Sequence, residues 1–271
     1  MGIFKDMTDR YCQKILETYQ SQADEKTYKG KEAELLVQRN DFAKCLIKKI
    51  KEIEVNDNNH LDYFERVLKE INLNLKEVKS AVKEYNKEFK TEFTTDLYET
   101  LFNSSLINFI QALRNLFESS PTLITDIKDK SSFSNERNVP WVCQFSFILY
   151  EYILEREFDI AVNKVDRDIF DAKKQLIFKY IQSVGDLCSR FNMKEDDTSY
   201  QELMKALLKS MRSEEQKIQR RQSEGNTTSY NFMAYLYKAS EQIVGKNHLG
   251  QKIDLLMSEF DGRAEQGLVC K

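Results

Sequence analysis

The chain has 271 residues, with 41 Lys and Arg against 44 Asp and Glu and a formal net charge of −3. That balance gives no global basic field, so nucleic acid is not an expected partner. Only 2 prolines and 8 glycines interrupt a chain rich in Lys, Glu and Leu, which excludes a turn-rich β fold and predicts an all-α protein.

At this length one large helical domain and two smaller ones both remain open. The opening MGIFKDMTDRYCQ has no unbroken apolar run of the signal-peptide kind. No segment approaches the roughly 20 apolar residues that span a bilayer. A cytoplasmic protein, at most peripheral to a membrane, is the expectation. Cys12, Cys45, Cys143, Cys188 and Cys270 are odd in number and widely spaced, so they read as free thiols. The sequons at Asn103 and Asn226 then carry no weight.

Ile3, Met7, Tyr11, Ile15 and Tyr19 recur at i, i+4 spacing and predict a helix beginning near Phe4. Its pattern turns polar between Lys26 and Lys31, where Gly30 is a candidate break. It resumes with Leu35, Leu36, Phe42, Leu46, Ile50 and Ile53 as far as Val55. Asn56 to Asn59 end it, because short polar side chains compete for helical hydrogen bonds.

In the next segment, Leu61, Phe64, Leu68, Ile71, Leu75, Val78, Val82, Tyr85 and Phe89 alternate spacings of three and four. This is a heptad seam, and it predicts a rod lying along a neighbouring helix. The pattern runs on toward Glu118, with Thr94-Thr95-Asp96 as a candidate new cap. Residues 119 to 140 hold both prolines and read as a loop or boundary.

Trp141 to Leu154 is apolar all round, the mark of a helix buried on most sides and a candidate central core element. Val162, Val165, Ile169, Ala172, Leu176, Tyr180, Val184 and Leu187 prolong it to about Arg190. After the acidic stretch Lys194 to Thr198, a fourth helix turns Tyr200, Leu203, Leu207 and Met211 inward. Its polar end, Ser213 to Thr228, is expected to be mobile. A further amphipathic helix is predicted from Tyr230 to Gly245, using Phe232, Leu236, Ala239 and Ile243, and a short one through Phe260. These readings add up to rods of roughly fifty residues, with no solenoid repeat. The expected architecture is a coiled-coil-like bundle of long antiparallel helices over residues 1–190. A smaller C-terminal helical appendage follows over 191–262, then a disordered tail over 263–271.

Motifs that carry chemistry are scarce. His60 and His248 are the two histidines, and both read as exposed loop residues. The sequence has no CxxC pair, HExxH, GxGxxG or GxxxxGK[ST], so no cofactor and no metal site is expected.

Between Lys26 and Lys51, the residues Lys26, Lys29, Lys31, Arg39, Lys44, Lys48, Lys49 and Lys51 face only Glu32, Glu34 and Asp41 in opposition. Lys26, Lys29, Lys31, Lys44, Lys48, Lys49 and Lys51 form a candidate contact for an anionic surface, against the plainer reading of a solvated helix face. Farther on, Lys69, Lys76, Lys83 and Lys90 recur every seven residues but are balanced by Glu70, Glu77 and Glu84. Arg220-Arg221-Gln222-Ser223 resembles the substrate pattern of basic-directed protein kinases and makes Ser223 a candidate phosphorylation site. Gly2 invites myristoylation, but Asp6 stands where that motif wants Ser or Thr.

Long seams without catalytic motifs point to a non-enzymatic scaffold or adaptor working through contacts with other proteins, with a homodimer as one form. The layout of three long helices over about the first 190 residues resembles BAR-type domains in outline. That resemblance implies a membrane-binding dimer in trafficking or remodelling as the alternative. A third reading is an enzyme with a carboxylate site inside the bundle, which calls for acids of raised pKa in a deep polar pocket.

Overall fold

The structure, a computed structural model, describes residues 3–24, 29–54, 60–89, 104–119, 141–161, 167–190, 198–224 and 249–265. Among these residues there are eight α-helices and no strand, as an all-α chain requires. They are α1 (Ile3–Asp24), α2 (Lys31–Lys51), α3 (His60–Phe89), α4 (Ser104–Ser119), α5 (Trp141–Ala161), α6 (Arg167–Arg190), α7 (Thr198–Glu224) and α8 (Leu249–Glu265).

Among the described residues no helix runs to the expected fifty residues. The longest described helix, α3, has 30 residues. The first rod breaks at Gly30, whose φ of 59° lies in the left-handed region that residues with a Cβ avoid. Beyond the break α2 runs back along α1. Lys5 Nζ donates to the Lys51 carbonyl at 3.1 Å, while Arg39 Nη1 donates to Gln22 Oε1 at 3.1 Å and Asn40 Nδ2 to Gln20 Oε1 at 2.7 Å.

The chain clusters into two compact units, Met1–Val139 with Ile153–Lys164, and Pro140–Tyr152 with Val165–Lys271. In the first unit α1 packs on α2, α2 on α3, α3 on α4 and α4 back on α1, a closed ring of four helices. Phe4, His60, Phe64 and Phe117 form an aromatic cluster, with Phe4 edge-on to Phe64 at 5.3 Å and to Phe117 at 5.7 Å. Tyr11 stacks on Phe109 at 4.1 Å. His60 is therefore not an exposed loop residue. It opens α3 and is buried against the Phe4 and Phe117 rings.

Helix α3 forms over the predicted stretch, but its buried stripe is offset from the predicted seam. Phe64, Ile71 and Val78 are buried as the seam requires. The other buried positions are His60, Tyr63, Val67 and Asn74, while Leu61, Leu68 and Leu75 are half-buried. The side chains of Val82, Tyr85 and Phe89 lie outside the described residues.

The end of α5 completes this unit with charge. Arg39 and Glu157 are both almost fully buried, with Arg39 Nη2 4.0 Å from Glu157 Oε2. The Arg39 guanidinium lies over the Tyr19 ring at 3.6 Å, and Gln22 Nε2 donates to the Glu155 carbonyl at 3.3 Å. Burial pushes the Tyr19 phenol up to about 12, against the pull of Arg39.

In the second unit α6 packs on α7 and α7 on α8. The first part of α5 joins them through Trp141 edge-on to Phe260 at 5.0 Å, Gln144 to Glu259 at 2.9 Å and Lys252 to Glu151 at 2.8 Å. Trp141, Val142, Cys143, Phe145, Leu149, Tyr150, Tyr152, Ile153 and Leu154 are all buried, as an all-round apolar helix must be. The buried Glu215 carboxylate ties the remaining helices together. It lies 3.8 Å from Lys173 of α6 and 2.5 Å from Arg212, which in turn meets Asp254 of α8 at 2.8 Å.

Helices α6 and α7, on either side of residue 190, thus belong to one unit. The stretch from Ser213, expected to be mobile, is helical through Glu224, and α8 continues past Gly262 to Glu265 where a disordered tail was expected. The predicted helix over Tyr230–Gly245, the cap at Thr94, the residue His248 and the thiol of Cys270 lie outside the described residues. Among the described residues, Cys12, Cys45, Cys143 and Cys188 form no disulfide.

Candidate functional site

Helix α6 carries Lys179, Ser183, Asp186 and Arg190 at spacings of three and four, which aligns them along one edge, with Tyr180 and Leu187 beside them. Helix α7 offers Leu203, Leu207, Ser210 and Glu214 at the same spacing. The two run in opposite directions, since Tyr180 meets Ser210 and Glu214 at one end while Cys188 Sγ lies 3.4 Å from Tyr200 Oη toward the other. Between them is an open groove of about 530 Å³ lined by these ten residues.

One end of the groove is a fixed polar clasp. Lys179 Nζ donates to both Glu214 oxygens, at 2.8 and 2.9 Å. The Tyr180 hydroxyl lies 2.9 Å from Glu214 Oε1 and 2.8 Å from Ser210 Oγ. A phenol has one proton, so where it donates that proton's hydrogen bond to the carboxylate the Ser210 hydroxyl donates to the phenol oxygen. The hydrogen bonds from Lys179 hold the Glu214 carboxyl below its usual range, and the same bonds raise the Lys179 ammonium. Burial raises the Tyr180 phenol.

The other end is apolar and open. Leu203 is 44% exposed, beside half-buried Leu187 and Leu207. A carboxylate locked in its charged form is a steady hydrogen-bond acceptor, whereas a general acid needs the opposite shift. The groove thus combines an anchored polar end with an uncovered leucine floor.

The sequence-derived candidates fall elsewhere. Lys44, Lys48 and Lys51 are exposed on α2, and Lys29 is exposed just before it. The Lys31 side chain and Lys26 lie outside the described residues. Lys44 is 3.8 Å from Asp41 and Lys49 3.5 Å from Glu77 of α3, while Lys5 of α1 brings Asp9 into the same neighbourhood. Arg39, counted with that basic segment, is in the core. The lysines share a helix, but the surface around them is of mixed sign. Ser223 stands in the last turn of α7, so Arg220 to Ser223 are helical.

Among the described residues no group of three or more His, Cys, Asp or Glu is placed to hold a metal ion. No described helix is long and apolar enough to cross a membrane. Nothing in the residue pattern announced the groove. Tyr180, Leu203 and Leu207 read there as core positions, and the only available signal was Ser210 and Glu214, one turn apart on an otherwise apolar edge. Compared with family models, curated proteins and solved structures, the chain matches none.

Proposed function

We propose that this protein is a non-enzymatic helical scaffold or adaptor and that the α6–α7 groove is where it grips another protein. The observation that carries this reading is the exposed Leu203 in the same groove as the hydrogen-bonded cluster of Glu214, Lys179, Tyr180 and Ser210 at its other end. Lys179 and Glu214 cancel one another, and so do the charges of Asp186 and Arg190, so the rim suits no strongly charged ligand. An amphipathic helix fits, laying an apolar stripe on Leu187, Leu203 and Leu207 and hydrogen-bonding at the Ser210 end. The mixed signs around α2 lend less support to an anionic membrane as partner.

The test compares the full chain with Leu203→Glu as baits in native lysate. A protein retained by the first and lost by the second, with helical content equal in both by circular dichroism, supports the groove. Identical captured sets refute it. Light scattering on the same two samples shows whether a second copy is the occupant.

A further inference from the structure

Helix α3 contains two apolar stripes that share three residues. One is the stripe buried in the first unit, running His60, Phe64, Val67, Ile71, Asn74 and Val78, with Tyr63 at its border. The other runs Leu61, Phe64, Leu68, Ile71, Leu75 and Val78. Both alternate steps of four and three, so both satisfy the heptad rule for packing along a neighbour. Their centres differ by about 50° around the helix axis, half of the roughly 100° that separates successive residues.

The buried stripe is the more polar of the two. Asn74 is 1% exposed, and among the described residues neither its Oδ1 nor its Nδ2 meets a hydrogen-bond partner. Meanwhile three leucines spaced seven apart remain half-buried on the shoulder. Turning α3 by half a residue step would carry Tyr63, Val67 and Asn74 outward and Leu61, Leu68 and Leu75 inward, with Phe64, Ile71 and Val78 still in the core. The exchange trades apolar area against apolar area and returns a buried amide to water.

We propose that α3 is a two-position element, a helix that rotates between these stripes, and that Asn74 keeps the second position within reach. Packed helices shift between discrete arrangements in this way because interdigitated side chains resist intermediate ones. A contact that covers the outward leucines or pairs the Asn74 amide then biases the helix.

The test places a thiol on the stripe that would swing outward. In full-length Val67→Cys, alkylation by iodoacetamide is located by peptide mass spectrometry. Cys12, buried on α1 in the same unit, reports opening of the unit as a whole. Position 67 is expected to react at least about tenfold faster than Cys12, as a minor population of roughly 0.1–10% allows. Adding Asn74→Leu, which favours the observed stripe, or Leu75→Gln, which spoils the alternative, slows position 67 and leaves Cys12 unchanged. Equal rates at the two positions, or either added substitution failing to slow position 67, overturns the proposal. Hydrogen exchange on chains without the new thiol supplies a second measure. Leu75→Gln slows exchange across α3 if the helix rotates, and leaves it unchanged or speeds it if Leu75 only packs, which again overturns the proposal.

Discussion

Replacing Glu157 by Ala separates two accounts of the first unit's charged core. Arg39 and Glu157 are both buried, 4.0 Å apart. At an effective dielectric of about 20, unit charges at that distance attract by about 4 kcal/mol. Taking each ion out of water costs several kcal/mol, so the intact pair contributes little net stability. Removing one partner is another matter. The guanidinium stays buried against Tyr19 and Gln22 once the Glu157 carboxylate is gone, and the expected loss is about 3–5 kcal/mol. That is a large part of the roughly 5–15 kcal/mol that holds a domain together.

The double substitution Arg39→Met/Glu157→Leu removes both charges and fills similar volume, so it is expected to lie within about 1 kcal/mol of the parent or above it. Urea titration followed by far-ultraviolet circular dichroism measures both. The single variant should lower the midpoint of one transition by roughly 1–5 M at ordinary urea slopes of about 1–3 kcal/mol/M. Two units allow two transitions, so the one that Glu157→Ala moves is compared across the set. A single substitution costing under about 1 kcal/mol, or a double costing more than the single, would refute the account of a buried charge left without its partner.

Other outcomes follow from the same geometry. A Cβ on Gly250 would occupy the place of the Arg212 guanidinium, so Gly250→Ala should disturb the Arg212 contacts with Glu215 and Asp254 and destabilise the second unit by about 1–3 kcal/mol. Fluorescence of Trp141, the single tryptophan, reports this, and a change below about 0.5 kcal/mol contradicts it. Because the folded Glu214 pKa is depressed, its contribution is present above the usual carboxyl value of 4.5 and fades as pH falls through the lower folded value. In a pH series of urea titrations, Glu214→Gln should therefore lose part of this acid limb, and an unaltered limb would count against the clasp. Burial raises the Cys12 thiol to about 12, while Cys45 is exposed. Near pH 8 a thiol reagent should modify Cys45 well before Cys12, and comparable rates would mean that the first unit opens readily.

Legibility from the sequence varied with how local the cause was. Helix α5 was plain, because a stretch apolar on every side has one stable environment. Gly30 marked a break, but the reversal that follows depends on α1 and α2 packing together, which no single residue announces. The seam on α3 was found half a residue step away from its buried position. Apolar spacing alone rated Leu68 and Leu75 above Val67 and Asn74, whereas the ring of neighbouring helices buries the latter pair. His60 was misread because the Asn-rich run before it suggests a loop, and the rings of Phe4 and Phe117 that cover it come from distant parts of the chain. The lysines of α2 suffered the same fault in reverse. Charge counted along one helix omits Glu77 and Asp9, which α3 and α1 bring alongside. The groove was invisible for a related reason, since its two walls come from separate helices and its hydrogen bonds join residues about thirty positions apart.

The path of α5 limits how this protein can be taken apart. Its residues 141–152 belong to one cluster and residues 153–161 to the other. No single cut therefore yields two self-sufficient pieces. A fragment stopping at 139 forfeits Ile153, Leu154 and the Glu157 countercharge, and one starting at 165 leaves Phe260 without its indole neighbour. Any dissection has to duplicate this helix, giving each fragment its own copy.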